Sequence, residues 1–146
     1  LALYLSKQNY RVEVIADQRS ITGDEEGAFD TALPFLVTRI KRTPVRSFMY
    51  LQRILTTRKH CRTAAQIIAT GKFSLWNVGL LSMFSRVPTM AVIHGTEVNF
   101  KSFLLRKSID IALKRFDKIV AVSKYTKDLV SHLNRDIVVI PNGINL

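Results

Sequence analysis

The sequence predicts an α/β domain, a parallel sheet with helices on both faces, and three observations carry that expectation. Apolar runs at residues 65–69, 89–94, 118–122 and 136–140 are near-continuous rather than alternating, the pattern of strands buried on both sides. Between most of them lie stretches with apolar residues three and four apart, so strands and helices alternate. Turn residues punctuate the alternation, most clearly Pro141-Asn142-Gly143 after the last run. Parallel strands need crossovers, and these are right-handed.

In chain order, Leu1, Leu3, Tyr4 and Leu5 followed by Ser6-Lys7-Gln8-Asn9 predict the last turns of a helix, with Asn9 at its C-terminal cap. Residues 11–16 alternate in polarity through Val12, Val14 and Ile15 and predict a strand. A helix running straight into a strand is half of a βαβ unit. In a doubly wound sheet the first strand is central, so the first strand is expected to be missing from residues 1–146. Residues 17–29 are polar, with Gly23, Gly27 and Asp24-Glu25-Glu26, and read as a loop. Residues 31–37 predict a short strand, placed at an edge or bulged by Pro34. Residues 39–43 read as a basic connector.

Pro44 suits the first turn of a long helix, where its missing N–H costs nothing. Val45, Phe48, Leu51 and Leu55 then recur at helical spacing to about residue 62. All charges on that helix are positive. It either packs its apolar stripe on a sheet with a solvated basic face, or offers a face to anionic lipid or substrate. The run at 65–69 is a strand, and Ser74 is placed to cap a helix over 75–85. The strand at 89–94 follows, then a helix over about 101–115, a strand at 118–122, a helix over 124–133 capped by Ser123, and a last strand at 136–140.

The charge is uneven. The net charge is +11, and residues 31–96 contain no Asp or Glu while holding Arg39, Lys41, Arg42, Arg46, Arg53, Arg58, Lys59, Arg62, Lys72 and Arg86. A one-signed field attracts phosphates, nucleotides, anionic lipid or nucleic acid, although it also serves simply as a soluble surface. Cys61 is alone, which removes any internal disulfide or cysteine metal cluster and fits a reducing compartment. No apolar run reaches the roughly 18 residues of a membrane span.

Three fragments stand at predicted strand ends: Thr70-Gly71-Lys72, His94-Gly95-Thr96-Glu97 and Ser123-Lys124. In a parallel sheet these ends share one edge, where ligands bind. Gly71 and Gly95 permit close backbone approach. N–H groups at a helix start, as after Ser123, attract phosphate or carboxylate. His94 can exchange a proton near neutral pH or hydrogen-bond a sugar oxygen, and Glu97 can orient it or bind hydroxyls. Blander roles fit too: His94 as a structural hydrogen-bonder, Ser123 as a helix cap. The chain has no Gly-x-Gly-x-x-Gly, Walker or Gly-x-Ser-x-Gly sequence, and its three histidines lack metal-ligand spacing.

Val92-Ile93-His94-Gly95-Thr96-Glu97, the segment from Asp117 to Ser123 with the following Lys124-Tyr125-Thr126-Lys127-Asp128-Leu129, and Val139-Ile140-Pro141-Asn142-Gly143-Ile144 together resemble the N-terminal domain of group 1 retaining glycosyltransferases of the GT-B fold. Residues 1–16 are similar to the opening helix and second strand of that family, and 65–71 to the strand before its acceptor-side loop.

The resemblance implies a Rossmann-like three-layer sandwich with a mostly parallel sheet, the acceptor-binding half of a two-domain enzyme. Residues 1–140 would form that domain and 141–146 would begin the linker, with the donor-binding domain absent from the sequence. The whole enzyme would transfer a sugar from a nucleotide-sugar to a glycan or lipid-linked acceptor with retention, using no metal ion or other cofactor. His94 would contact the donor sugar. Thr70, Gly71, Lys72, Gly95, Thr96, Glu97, Ser123 and Lys124 would border substrate, and Pro141, Asn142 and Gly143 would form the hinge. The fragment alone would not turn over. Its setting would be cytoplasmic, at the inner face of the membrane where the basic tract from Arg39 to Arg62 meets anionic lipid.

The second reading is a non-catalytic basic module for anionic lipid or nucleic acid. Nucleic acid is disfavoured because no aromatic residues interleave with the basic ones and no nucleic-acid-binding signature occurs. A dehydrogenase-like domain is disfavoured by the missing dinucleotide fingerprint.

Overall fold

The computed structural model describes residues 1–20 and 22–141. The chain divides into two compact units, Leu1–Thr56 and Thr57–Leu146.

The first unit opens with α1 (Ala2–Lys7). Asn9 takes the left-handed conformation at φ 63°. The N–H of Tyr10 then reaches the carbonyl of Leu5 at 3.1 Å and that of Asn9 the carbonyl of Ser6 at 3.0 Å. This is the Schellman arrangement, which an Asn tolerates at that position, so Asn9 ends the helix as its type predicts. Strand β1 (Glu13–Asp17) pairs in parallel with β2 (Leu36–Ile40), from Glu13 opposite Leu36 to Asp17 opposite Ile40.

Between them the expected loop is partly a helix, α2 (Asp24–Thr31). Gly23 at φ 86° enters it, and Asp24, Glu25 and Glu26 fill its first turn, where negative side chains meet the positive end of the helix dipole. The Glu26 carboxylate also turns back to the N–H groups of Arg19 and Ser20, each at 2.6 Å, and to the Ser20 hydroxyl. With the Ser20 hydroxyl first among these donors, they hold the Glu26 pKa down to about 2.

The expected strand at 31–37 is displaced toward the C-terminus. Thr31 closes α2, Pro34 lies ahead of β2, and Arg39 and Ile40 belong to the strand rather than to a connector. Arg39 forks onto Asp30, Nε to Oδ2 at 2.7 Å and Nη2 to Oδ1 at 2.6 Å, fastening β2 to α2. Ile40 is the buried residue of the strand.

Helix α3 (Arg46–Cys61) reverses the expected orientation of its apolar stripe. Val45 just before it, and Phe48, Leu51 and Leu55 within it, are exposed at 60%, 58%, 51% and 56%. Met49, Gln52, Arg53 and Thr56 make the half-buried side instead. Polar contacts account for this. The Arg53 guanidinium is held by the Asp17 carboxylate, Nε to Oδ1 at 2.8 Å, and lies over the Tyr50 ring.

The second unit is a four-stranded parallel sheet in the order β3-β4-β5-β6. Its strands are β3 (Ile67–Thr70), β4 (Thr89–Ile93), β5 (Lys118–Ala121) and β6 (Ile137–Val139). Among the described residues there are thus two sheets, and every pairing in them is parallel. Helix α4 (Lys72–Leu81) starts earlier than expected: Gly71 at φ 83°, not Ser74, precedes its first turn. A 3-10 turn over Ser82–Phe84 ends it. Helices α5 (Phe103–Leu113) and α6 (Lys124–Leu129) make the next two crossovers.

The core lies in this unit. Leu75, Ile93, Ile109, Leu113, Phe116, Ile119 and Val130 are among its large, fully buried side chains. On α5 the spacing of Ile109, Ala112 and Leu113 is that of one helix face, and Phe116 follows three residues past the helix end. A Cβ on Gly79 would lie 2.9 Å from the Ala112 carbonyl oxygen, so the backbones of α4 and α5 meet where only glycine fits.

Candidate functional site

Parallel pairing brings the predicted strand-end fragments to one edge. Thr70 pairs with Val92, and Ile93 with Ala121. Gly71 and Lys72 therefore follow β3 at the same edge where His94 follows β4 and Ser123 follows β5. The Val122 N–H donates to the Ile93 carbonyl at 3.1 Å, continuing the ladder to the edge. Pro141 lies just past β6, exposed; Asn142 and Gly143, the rest of the expected hinge, lie outside the described residues.

The β4–α5 connection is a tight turn. Gly95 sits at φ 103°, and its carbonyl accepts the N–H groups of Val98 at 3.2 Å and Asn99 at 3.0 Å. Left-handed backbone of this kind favours glycine. His94 and Thr96 are exposed. Glu97 is not: it is 6% exposed, and its Oε2 accepts the His94 backbone N–H at 3.1 Å and the Thr96 hydroxyl at 3.3 Å. The sequence offered this carboxylate the orientation of His94 or the binding of hydroxyls; the geometry displays a bond to the turn's own backbone and to the Thr96 hydroxyl. Glu97 acts on the backbone of His94, and the imidazole is left facing solvent.

The β5–α6 connection packs against that turn. Ser123 caps α6, its Oγ accepting the Thr126 N–H at 3.1 Å and lying 3.0 Å from Thr126 Oγ1. Thr126 is 2% exposed, and a Cβ on Gly95 would lie 3.3 Å from its hydroxyl. The missing side chain at Gly95 thus lets the two loops close on each other. Lys124, next to the cap, is exposed.

The β3–α4 connection is tied in by aromatics that sequence reasoning passed over. Trp76 of α4 stacks on Phe100, beyond the β4 turn, with centroids 5.8 Å apart and planes 22° apart. The Lys72 ammonium lies 4.9 Å from the centre of the Phe100 ring, a cation–π distance. An aromatic in the polar stretch 98–102 was the available signal for Phe100, and the Ser123-x-x-Thr126 spacing for Thr126.

The edge therefore presents an exposed imidazole, an ammonium steadied by an aromatic ring, a second lysine, hydroxyls and glycine-permitted turns. These are groups that hydrogen-bond sugar hydroxyls and attract phosphate. Among the described residues no group of three His, Cys, Asp or Glu is placed to hold a metal ion.

The model of glycosyltransferase family 4 matches residues 1–146. No curated protein matches the chain. Among solved structures, the chain is similar to one described as a UDP-N-acetylglucosamine 2-epimerase from Listeria monocytogenes, with a TM-score of 0.62 at 14% identity, over 93% of this chain and 39% of that one. The chain thus spans well under half the length of that structure, and the likeness is one of fold.

Proposed function

The chain belongs to glycosyltransferase family 4, and from that premise we propose that residues 1–140 are the acceptor-binding half of a retaining, hexosyl-type sugar transferase. The observation that carries this reading is the convergence of Thr70-Gly71-Lys72, His94-Gly95-Thr96 and Ser123-Lys124 on one strand-end edge of a chain that the family matches throughout. The donor is a nucleotide-sugar. The bond from its anomeric carbon to the diphosphate breaks, and a bond to the acceptor oxygen forms on the same face. The acceptor proton leaves with the diphosphate, and no metal or other cofactor takes part.

In this reading the His94 imidazole hydrogen-bonds the donor sugar, while the Lys72 and Lys124 ammonium groups face anionic parts of the substrates. Glu97 supports the turn from beneath. Pro141, Asn142 and Gly143 are the hinge to a donor-binding domain, which supplies the donor diphosphate and nucleotide contacts. The acceptor is a glycan or lipid-linked glycan in polysaccharide assembly, met at the cytoplasmic face of the membrane, where the basic tract between Arg39 and Arg62 draws the enzyme to anionic lipid.

The test is nucleotide release by the full-length protein from a panel of nucleotide-sugars, with and without lipid-linked acceptors. Acceptor-dependent release, lost in His94→Ala while the fold by circular dichroism is kept, supports the reading. No release from any donor, or an undiminished His94→Ala variant, overturns it. Sugar transfer by residues 1–146 alone overturns the division of labour.

A further inference from the structure

We infer that Phe100, backed by Trp76, is a positioning residue that holds the Lys72 ammonium ready for an acidic group on the sugar acceptor, a phosphate or a carboxylate. The inference deepens the proposed function and rests on it for its purpose, since it names the class of acceptor.

Two connections of the second unit build the arrangement. Lys72 opens α4 and Trp76 stands four residues on, so both project from one face of that helix. One ring meets both. Phe100 stacks on the Trp76 indole with centroids 5.8 Å apart, and the Lys72 ammonium lies 4.9 Å from the centre of the Phe100 ring. The ammonium of the β3–α4 connection is thereby drawn toward the segment that follows the His94 turn.

Stability alone does not account for these residue types. A cation in the first turn of a helix meets the positive end of the dipole, the disfavoured sign, and α4 has no acidic residue in that turn to offset it. Among the described residues no carboxylate pairs with Lys72. The Trp76 Nε1 is buried without a hydrogen-bond partner among the described residues, a cost that a wholly apolar side chain would avoid.

What the trio supplies is an ordered cation. A ring face covers one side of the ammonium, and a lysine has three N–H donors, so donors remain for a ligand. Fixing a free lysine costs rotamer entropy, and a ring that orders it beforehand leaves less of that cost to the binding step. A neutral sugar offers this charge no partner, whereas a phosphate or carboxylate does. In the proposed reading the donor diphosphate is held by the other domain. An unpaired cation in the acceptor half therefore matches an acid on the acceptor.

The experiment is a titration of the protein followed by NMR of the Lys72 ε-methylene, which the ring current of Phe100 should shift upfield. Inorganic phosphate and glucuronate are the probes, with glucose as the neutral control. At least one acid should move the Lys72 signal and glucose should not; the tighter of the two acids identifies the group. Phe100→Leu keeps apolar bulk, and it should abolish the upfield shift and weaken acid binding about two- to fivefold. Phe100→Tyr keeps the ring and should restore both. Lys72→Ala should weaken binding roughly tenfold or more, and adding Phe100→Leu to it should weaken binding no further. Acid binding by Phe100→Leu as tight as the parent's overturns the proposal. So does a loss repeated undiminished in the Lys72→Ala background, which would assign Phe100 to packing alone. A Lys72 signal moved by neither acid, or moved equally by glucose, overturns it as well. The readout needs neither donor nor sugar transfer, so this inference and the proposed activity fail separately.

Discussion

Glu97 Oε2 accepts the backbone N–H of His94 at 3.1 Å, so a buried carboxylate fixes the residue whose imidazole faces the strand-end edge. Removing it leaves a backbone donor at a strand end without its partner, and the Thr96 hydroxyl loses the same oxygen. Hydrogen bonds to charged groups contribute about 1.5–3 kcal/mol. Glu97→Ala should therefore lower unfolding stability by about 2 kcal/mol and speed amide exchange at His94. Glu97→Gln keeps an acceptor oxygen and should recover most of both. Urea melts and hydrogen exchange check this. Equal exchange at His94 in the alanine variant and the parent would remove Glu97 from the turn.

Gly95 and Thr126 are coupled across the same edge. At φ 103° any other residue is strained, and a Cβ there would also sit 3.3 Å from Thr126 Oγ1. Left-handed backbone costs an ordinary residue roughly 1–2 kcal/mol. Gly95→Ala should lose at least that much, plus a contact term. Placing Gly95→Ala in a Thr126→Ala background separates the two: the contact term should vanish and the backbone term should remain. A double-variant cycle in denaturant reads the coupling. Strict additivity would mean that the two loops do not touch as described.

The strand-end edge was legible because parallel strands buried on both faces are written as apolar runs, and the residue after each run is placed by that fact alone. Thr70, His94 and Ser123 were found this way. The role of Glu97 was not, since a carboxylate three residues past a strand reads as orienting the histidine or binding hydroxyls, and a bond to the turn's own backbone leaves no mark in the sequence. Burial decides between them, and burial is a tertiary quantity. In α2 the signal was present but outweighed: Gly23 and Gly27 suggested a loop, while Asp24, Glu25 and Glu26 were the acidic first turn of a helix. In α3 the period identified which residues share a face. It carried no information on which face turns inward, and the Asp17–Arg53 pair sets that.

At the opposite edge of the second sheet, Thr89 and Asp117 lock β4 to the residue before β5. The Thr89 N–H and hydroxyl both donate to Asp117 Oδ2, at 2.7 and 2.9 Å, and the Asp117 N–H lies 3.3 Å from Thr89 Oγ1. The backbone donor at Thr89 leads in holding the Asp117 pKa below its ordinary value of 3.8, followed by the Thr89 hydroxyl. A carboxyl group with a lowered folded pKa binds its proton more weakly folded than unfolded. Its contribution to stability is therefore fully present well above pH 3.8 and is lost as the pH falls from there through the folded value. Asp117 is solvent-exposed, which screens the charge, whereas Thr89 is buried. Thr89→Val keeps the shape, removes the hydroxyl and should cost about 1 kcal/mol at neutral pH. The difference between parent and variant should narrow as the medium is acidified below pH 3.8, because protonated Asp117 no longer rewards the hydroxyl as a donor. Urea midpoints measured across that range provide the check. A gap that stays constant or widens on acidification would show that the hydroxyl stabilises the strand independently of the carboxylate.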